Sequence, residues 1–150
     1  MNETIKKIMF EISQKKNKLI IVTGKKNKNN LIEEKLKTLK NANIFNLNLS
    51  LSKILINCSK NELNDPIKII EELISQKLSK DVIVFTQINI LYDINLKWNV
   101  IDILKKISRN QLLIVFWDGD YKNNVLYSSA KGHLEYKEYP INTSEAMFIS

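Results

Sequence analysis

A lysine-rich loop after the first apolar segment has part of the composition of a phosphate-binding loop. Gly24 follows the apolar run Leu19–Val22, and three lysines stand among the next four residues. In a working loop, glycines turn backbone N–H groups towards the phosphates, a lysine reaches the β and γ groups, and a Ser or Thr hydroxyl holds magnesium. Here Asn29, Asn30 and Leu31 stand in for the second glycine, the lysine and the hydroxyl. We therefore predict a degenerate phosphate site at Gly24, Lys25, Lys28, Asn29 and Asn30.

A second departure lies after the apolar run Val82–Phe85, where this kind of site has an aspartate that supports magnesium. The chain has Thr86 and Gln87 there instead. Leu31 cannot ligate a cation, and phosphoryl transfer without magnesium loses much of its charge stabilisation. We therefore predict no catalytic residue, no metal site, no efficient ATP hydrolysis and no resident cofactor. ATP binding stays open as an alternative, because a strand that leads into a helix start beside lysines attracts anions, and Lys25 or Lys28 with a partner protein would complete the site.

Strands and helices alternate along the chain, and they must position this loop. Apolar runs predict strands buried on both faces, as in a parallel sheet. The predicted strands are Leu19–Val22, Asn43–Leu47, Asp81–Thr86, Gln111–Trp117, Val125–Ser128 and Tyr136–Tyr139. The predicted helices are an amphipathic N-terminal helix at Glu3–Ser13, then Leu31–Leu39, Leu51–Ile56 after a Ser50 cap, a helix from Pro66 to about Leu78 capped by Asp65, and a helix from about Trp98 to Ser108. This alternation predicts an α/β fold, a three-layer sandwich with a mainly parallel sheet.

Length and composition predict one domain spanning residues 1–150 in the cytoplasm. The chain is 44% hydrophobic and 26% charged, which is ordinary for a globular protein. Cys58 is the single cysteine, so no internal disulfide can form, and the N-terminus lacks the apolar core of a secretion signal. No apolar run approaches the roughly 18 residues of a membrane span, and we predict no membrane partner.

A net charge of +7 favours contact with polyanions, which makes DNA an alternative partner. Lysine is abundant along the whole chain, so the charge also fits a general compositional bias. Four tyrosines near the C-terminus are interleaved with lysines: Tyr121, Tyr127, Tyr136 and Tyr139 with Lys122, Lys131 and Lys137. Such a group is typical of a base-stacking surface, and equally of a sheet edge that contacts a partner protein.

Other reactive residue types are sparse. Asp118 and Asp120 are separated by one glycine, a spacing that fits metal binding but is ordinary turn chemistry, which we favour. Cys58 and the single histidine, His133, form no recognisable nucleophile pair. Arg109 precedes the fourth predicted strand, at the edge of a parallel sheet opposite to the one where ligands bind. We therefore expect it to have a structural role.

Two segments carry a family resemblance: SRNQLLIVFWDGDY at Ser108–Tyr121, and GHLEY at Gly132–Tyr136 before Tyr139-Pro140. With the order of elements, they resemble the BrxF family, small P-loop-fold proteins of the type 3 BREX systems that defend bacteria against phage. The resemblance implies a P-loop NTPase-like fold, an ATP-binding loop, and partners that include a BREX ATPase and a DNA methyltransferase. Because Asn29, Asn30 and Leu31 depart from that loop, we expect an accessory BREX subunit with a mainly structural or assembly role.

Overall fold

The computed structural model describes residues 7, 10–12, 14, 17–23, 34, 42–75, 82–93, 96–128 and 137–149. The strands are β1 (Leu19–Val22), β2 (Ala42–Asn46), β3 (Val82–Thr86), β4 (Leu112–Phe116), β5 (Tyr121–Lys122), β6 (Val125–Ser128), β7 (Lys137–Pro140) and β8 (Met147–Ile149). Five of them form an all-parallel sheet in the order β2-β3-β4-β1-β8, and β5, β6 and β7 form a small antiparallel sheet. The predicted α/β class and the predominance of parallel strands are confirmed.

The central strands are apolar on both faces, which is why they lie inside a parallel sheet. In β1, Leu19 and Ile21 face one side and Ile20 and Val22 face the other, and all four are at most 2% exposed. The register places Ile21 between Val115 of β4 and its partner in β8. Hydrophobic burial on both faces therefore fixes β1 in the interior of the sheet.

The first face of the sheet is covered by helices. They are α1 (Leu47–Leu55), α2 (Lys60–Leu63), α3 (Pro66–Ser75) and α4 (Val100–Ser108), with a 3₁₀ turn at Asn89–Tyr92. Ile70 of α3 and Leu104 of α4 are fully buried in the core on this face. On the second face, Ile12 is fully buried in a separate cluster with the opposite side chains of the strands. Apolar cores on both faces of one sheet are consistent with three layers.

The starts of the helices test the boundaries that were predicted from the sequence. Asp65 accepts a hydrogen bond from the Lys68 N–H (3.3 Å), and α3 begins at Pro66, as predicted. The prediction of a Ser50 cap is wrong, because the Asn46 side chain accepts the Leu49 N–H (3.1 Å) and starts α1 at Leu47. Strand β2 therefore ends one residue earlier than predicted. Asn99 caps α4, which begins at Val100, two residues after the approximate start predicted at Trp98.

The C-terminal part contains one predicted strand to the residue, β6, and two strands that were not predicted, β5 and β8. Strand β8 pairs in parallel with β1, so the last described residues belong to the main sheet. Lys105 of α4 forms an ion pair with Glu145 (Nζ to Oε1, 2.7 Å) in the turn before β8. This pair ties the turn to the helix layer.

Two predicted helices lie largely outside the described residues. Residues 10–12 of the predicted N-terminal helix are helical, as is Glu34 of the predicted helix Leu31–Leu39. Among the residues that the structure describes, no helix combines the length and the hydropathy needed to cross a membrane.

Candidate functional site

The strand order reverses beside β1, which marks the place where an open α/β sheet is expected to bind a ligand. From β1 the chain continues to β2 at the far edge of the sheet, whereas β4 and β8 flank β1. Ligands bind outside the carboxyl ends of the strands at such a position, and Thr23 and Trp117 follow β1 and β4 there. The predicted phosphate loop (Gly24, Lys25, Lys28, Asn29, Asn30) begins directly after Thr23. It lies outside the described residues and stays a prediction.

Thr23 follows β1 and holds its carboxyl end to β8 by hydrogen bonds. Its N–H donates to the Ile149 carbonyl at 2.7 Å, and its hydroxyl reaches the same oxygen at 3.5 Å. The side chain is buried, with 4% exposure. Both donors of Thr23 are therefore used in holding two strands together.

A threonine at the carboxyl end of β3 likewise bonds to the neighbouring strand. Thr86 is buried, and its hydroxyl donates to the Phe45 carbonyl of β2 (3.4 Å). The next residue, Gln87, has a positive φ of 50°, and its carbonyl accepts the Asn48 N–H from α1 (2.8 Å). A threonine hydroxyl bonded to a carbonyl supplies none of the negative charge with which an aspartate supports magnesium.

Trp117 forms a packed junction at the carboxyl end of β4. Its backbone N–H donates to the Val22 carbonyl (2.8 Å), and its indole N–H donates to the Tyr127 carbonyl of β6 (2.9 Å). The ring is 1% exposed and lies 5.8 Å from the ring of Tyr92 and 5.7 Å, edge to face, from that of Tyr139. Trp117 thus joins the parallel sheet to the antiparallel sheet.

The chain bends at Asp118 and Gly119, within the segment predicted as a turn, and close packing requires the glycine. A Cβ atom added at Gly119 would lie 1.8 Å from the Tyr127 carbonyl oxygen. Asp118 and Asp120 are both exposed. Within the described ranges, no three side chains of His, Cys, Asp or Glu come close enough together to hold a metal ion.

Two tyrosines of the predicted aromatic group pack inside the protein. Tyr121 stacks on Phe148 of β8 with ring centroids 3.7 Å apart, and its hydroxyl donates to the Ile141 carbonyl (2.8 Å). Tyr139 packs against Trp117, and burial raises its pKa to about 12. These contacts occupy a ring face of Tyr121 and the ring of Tyr139, so these two rings form no open base-stacking surface.

Among the described residues, the Cys58 thiol is a further reactive group, and it is not activated. Its Sγ donates to the Ile54 carbonyl (3.4 Å), and burial, followed by the charge of Glu62, raises its pKa. The thiolate is the nucleophilic form, so a raised pKa disfavours covalent chemistry at this cysteine.

The sequence alone showed that Thr86 stands where an aspartate was expected, because this follows directly from the residue type. Sequence reasoning missed the packing role of Trp117, whose only local signal was a tryptophan at a strand end near several tyrosines.

Comparison with protein-family models, with curated proteins and with solved structures finds no match for this chain. The resemblance to BrxF therefore rests on the two segments quoted above. One of them contains β4 and the junction at Trp117.

Proposed function

We propose that this chain is an accessory subunit of a BREX anti-phage system, with a P-loop-like fold, a degenerate nucleotide site and a mainly structural role in assembly. The observation that carries the proposal is the carboxyl end of β3, where the Thr86 hydroxyl bonds to the Phe45 carbonyl. A magnesium-supporting carboxylate belongs at that position in an active site of this type. The strand order, which reverses beside β1, supports the P-loop-like fold.

The chemistry supports a subunit without NTPase activity. Phosphoryl transfer depends on a cation that bridges the β and γ oxygens, and this chain has Leu31 and Thr86 where the two supporting ligands belong. The first residue after β1, Thr23, uses both of its donors on the Ile149 carbonyl. A subunit with these features contributes shape and contacts to a complex, in the cytoplasm where BREX acts.

The biological setting is proposed from the resemblance at residues 108–121 and 132–140. It makes a BREX ATPase and a DNA methyltransferase the expected partners. DNA itself is reached through this complex, or directly through the net charge of +7. Steep weakening of DNA binding with rising salt, measured on the isolated chain, would distinguish direct contact.

Calorimetric titration with ATP and ADP, each with and without magnesium, tests the degenerate site. We expect no binding tighter than about 100 μM and no strengthening by magnesium. Thr86→Val is the matched variant, since it removes the hydroxyl and keeps the shape, and it should leave the titration unchanged. Tight, magnesium-dependent binding that is abolished in the Lys25→Gln, Lys28→Gln double variant would instead support the ATP-binding regulator.

Co-expression with the other proteins of a BREX system tests the assembly role. A tagged chain should elute from size exclusion together with at least one BREX partner, and the Thr86→Val chain should elute in the same way. Phage plating should show lost protection when the chain is deleted and restored protection with Thr86→Val. Elution of the chain alone, combined with full protection after its deletion, would contradict the proposal.

A further inference from the structure

A cleft of about 810 Å³ lies where α3 and α4 begin. Among the described residues, its lining comes from α2, from the start of α3 and from the segment before α4. The apolar residues that line it include Leu63, Pro66, Leu96 and Trp98. The positively charged residues that line it are Lys60 and Lys97. The volume falls within the range of about 300 to 1,000 Å³ that is usual for ligand pockets.

The two walls of the cleft are fixed to each other. The Trp98 indole N–H, on the segment before α4, donates to the Leu63 carbonyl at the end of α2 (2.8 Å). Trp98 is only 6% exposed, so the ring packs into the core behind the cleft. The side chains of Asp65 and Asn99 cap the two helices that begin there. The cleft is therefore pre-formed, and a ligand need not order its walls.

The positive charge of the cleft is unpaired within the described part of the chain. Lys60 and Lys97 are exposed and make no ion pair there, whereas Lys105 and Lys106 pair with acidic side chains. The acids nearest in sequence to Lys60 have other partners. The Glu62 carboxylate accepts the Ser59 N–H, the Asp65 carboxylate accepts the Lys68 N–H, and neither lines the cleft.

We propose that this cleft binds a small phosphate monoester, with the phosphate between Lys60 and Lys97 and an apolar or aromatic body against Leu63 and Leu96. Lysine ammonium groups act on phosphate as point charges, and desolvation of the apolar body adds affinity. Among the described residues, the lining contains none of β1. The cleft proposal rests on Lys60 and Lys97, whereas the BREX proposal rests on Thr86 and on the two segments that carry the resemblance.

The two tryptophans of the chain allow a direct test by ¹H–¹⁵N NMR. The Trp98 indole N–H lies at the cleft wall, and the Trp117 indole N–H, bonded to the Tyr127 carbonyl, serves as an internal control. Titration with phenyl phosphate should shift the Trp98 indole signal saturably and leave the Trp117 signal in place. Inorganic phosphate should bind more weakly and phenol should not bind. The Trp98→Phe variant assigns the two signals.

Paired variants separate this site from the general basic character of the chain. Lys60→Gln with Lys97→Asn removes both charges, and asparagine tolerates the positive φ of 57° at position 97. The charge-matched control is Lys53→Gln with Lys122→Gln, two exposed lysines outside the cleft. We expect phenyl phosphate affinity to fall about tenfold or more in the first double variant and by less than about twofold in the control.

Three outcomes would overturn the proposal. They are the absence of a saturable Trp98 shift up to about 10 mM phenyl phosphate, an unchanged affinity in the cleft variant, and an equal loss in both double variants. Thermal unfolding followed by circular dichroism checks that both double variants are folded. The nucleotide titration described above can fail or succeed separately, because its decisive variants change Lys25 and Lys28, whereas the cleft variants change Lys60 and Lys97.

Discussion

The carboxyl edge of the sheet and the Lys60–Lys97 cleft use their polar groups in opposite ways. At the edge, the side chains of Thr23, Thr86 and Trp117 all donate to backbone carbonyls of neighbouring strands. In the cleft, Lys60 and Lys97 share the lining with apolar side chains, and neither forms an ion pair in the described part of the chain. The edge is where the fold class is expected to bind a ligand, whereas the cleft is lined by two described lysines that form no ion pair.

The physical reason is the cost of burying an unsatisfied donor. A buried N–H or O–H without a partner costs about 1 to 3 kcal/mol, so the buried donors at this edge are stabilised by bonding to backbone carbonyls. Exposed ammonium groups carry no such cost, because water solvates them. Polar groups that bond to backbone carbonyls therefore indicate a structural role, whereas solvated polar groups stay available to a ligand. Three measurements test this difference between the edge and the cleft.

The largest effect is expected at the edge, from Gly119→Ala. Its Cβ would lie 1.8 Å from the Tyr127 carbonyl oxygen, which also accepts the Trp117 indole N–H. We expect a loss of more than about 3 kcal/mol in the free energy of unfolding, measured by urea denaturation. Asp118→Ala, at the exposed neighbouring position, should change it by less than about 0.5 kcal/mol. Equal stability of the two variants would show that the junction is loosely packed.

The two tryptophans compare the regions directly, since each donates its indole N–H to a backbone carbonyl. Trp117→Phe also removes contacts with Tyr92 and Tyr139 in the core, and we expect it to cost about 2 to 4 kcal/mol of unfolding free energy. Trp98→Phe, at the cleft wall, should cost about 1 to 2 kcal/mol. Urea denaturation of both variants measures the difference. The reverse order would mean that the cleft wall contributes more to stability than the edge.

The smallest effect concerns the ion pair that joins α4 to the turn before β8. The hydrogen bond from Lys105 holds the pKa of Glu145 below its usual value, so the folded protein binds this proton less tightly than the unfolded chain. The stabilisation is therefore complete above the unfolded glutamate pKa of about 4.3 and is lost as pH falls through the lower folded pKa. We expect less than about 1 kcal/mol.

A double-mutant cycle with Lys105→Met and Glu145→Gln, unfolded in urea at pH 7 and at pH 3, measures this pair. The coupling energy should be present at pH 7 and diminished at pH 3. A coupling that is equal at both pH values would argue against ionic pairing of Glu145.

Much of the secondary structure could be read from local patterns. The strands Leu19–Val22 and Val125–Ser128 match their predicted bounds, because apolar and β-branched runs have few alternatives. The start of α3 was predicted equally well, since Asp65 and Pro66 satisfy the geometry of a helix start by themselves. The loop at Gly24 was predicted from residue types alone, and its phosphate site stays a prediction.

The elements that were predicted wrongly or not at all depend on residues that are distant in the sequence or that have two roles. Strand β8 has only three residues, all half-buried, and its strand conformation comes from pairing with β1 at the other end of the chain. The start of α1 was misplaced because Asn46, at the end of a strand, also serves as a helix cap. Local propensity is a weak guide where one residue has two roles or where a short strand depends on its neighbour.

By itself, the sequence determined the types of the longer described elements, the lack of magnesium-supporting side chains at Leu31 and Thr86, and the net positive charge. These follow from residue identity and local periodicity. Only the tertiary structure decided the strand order, the carbonyl to which the Thr86 hydroxyl is bonded, and the meeting of Lys60 and Lys97 across one cleft. Each of these depends on which distant segments the hydrophobic core brings together, and chain connectivity alone does not specify that packing.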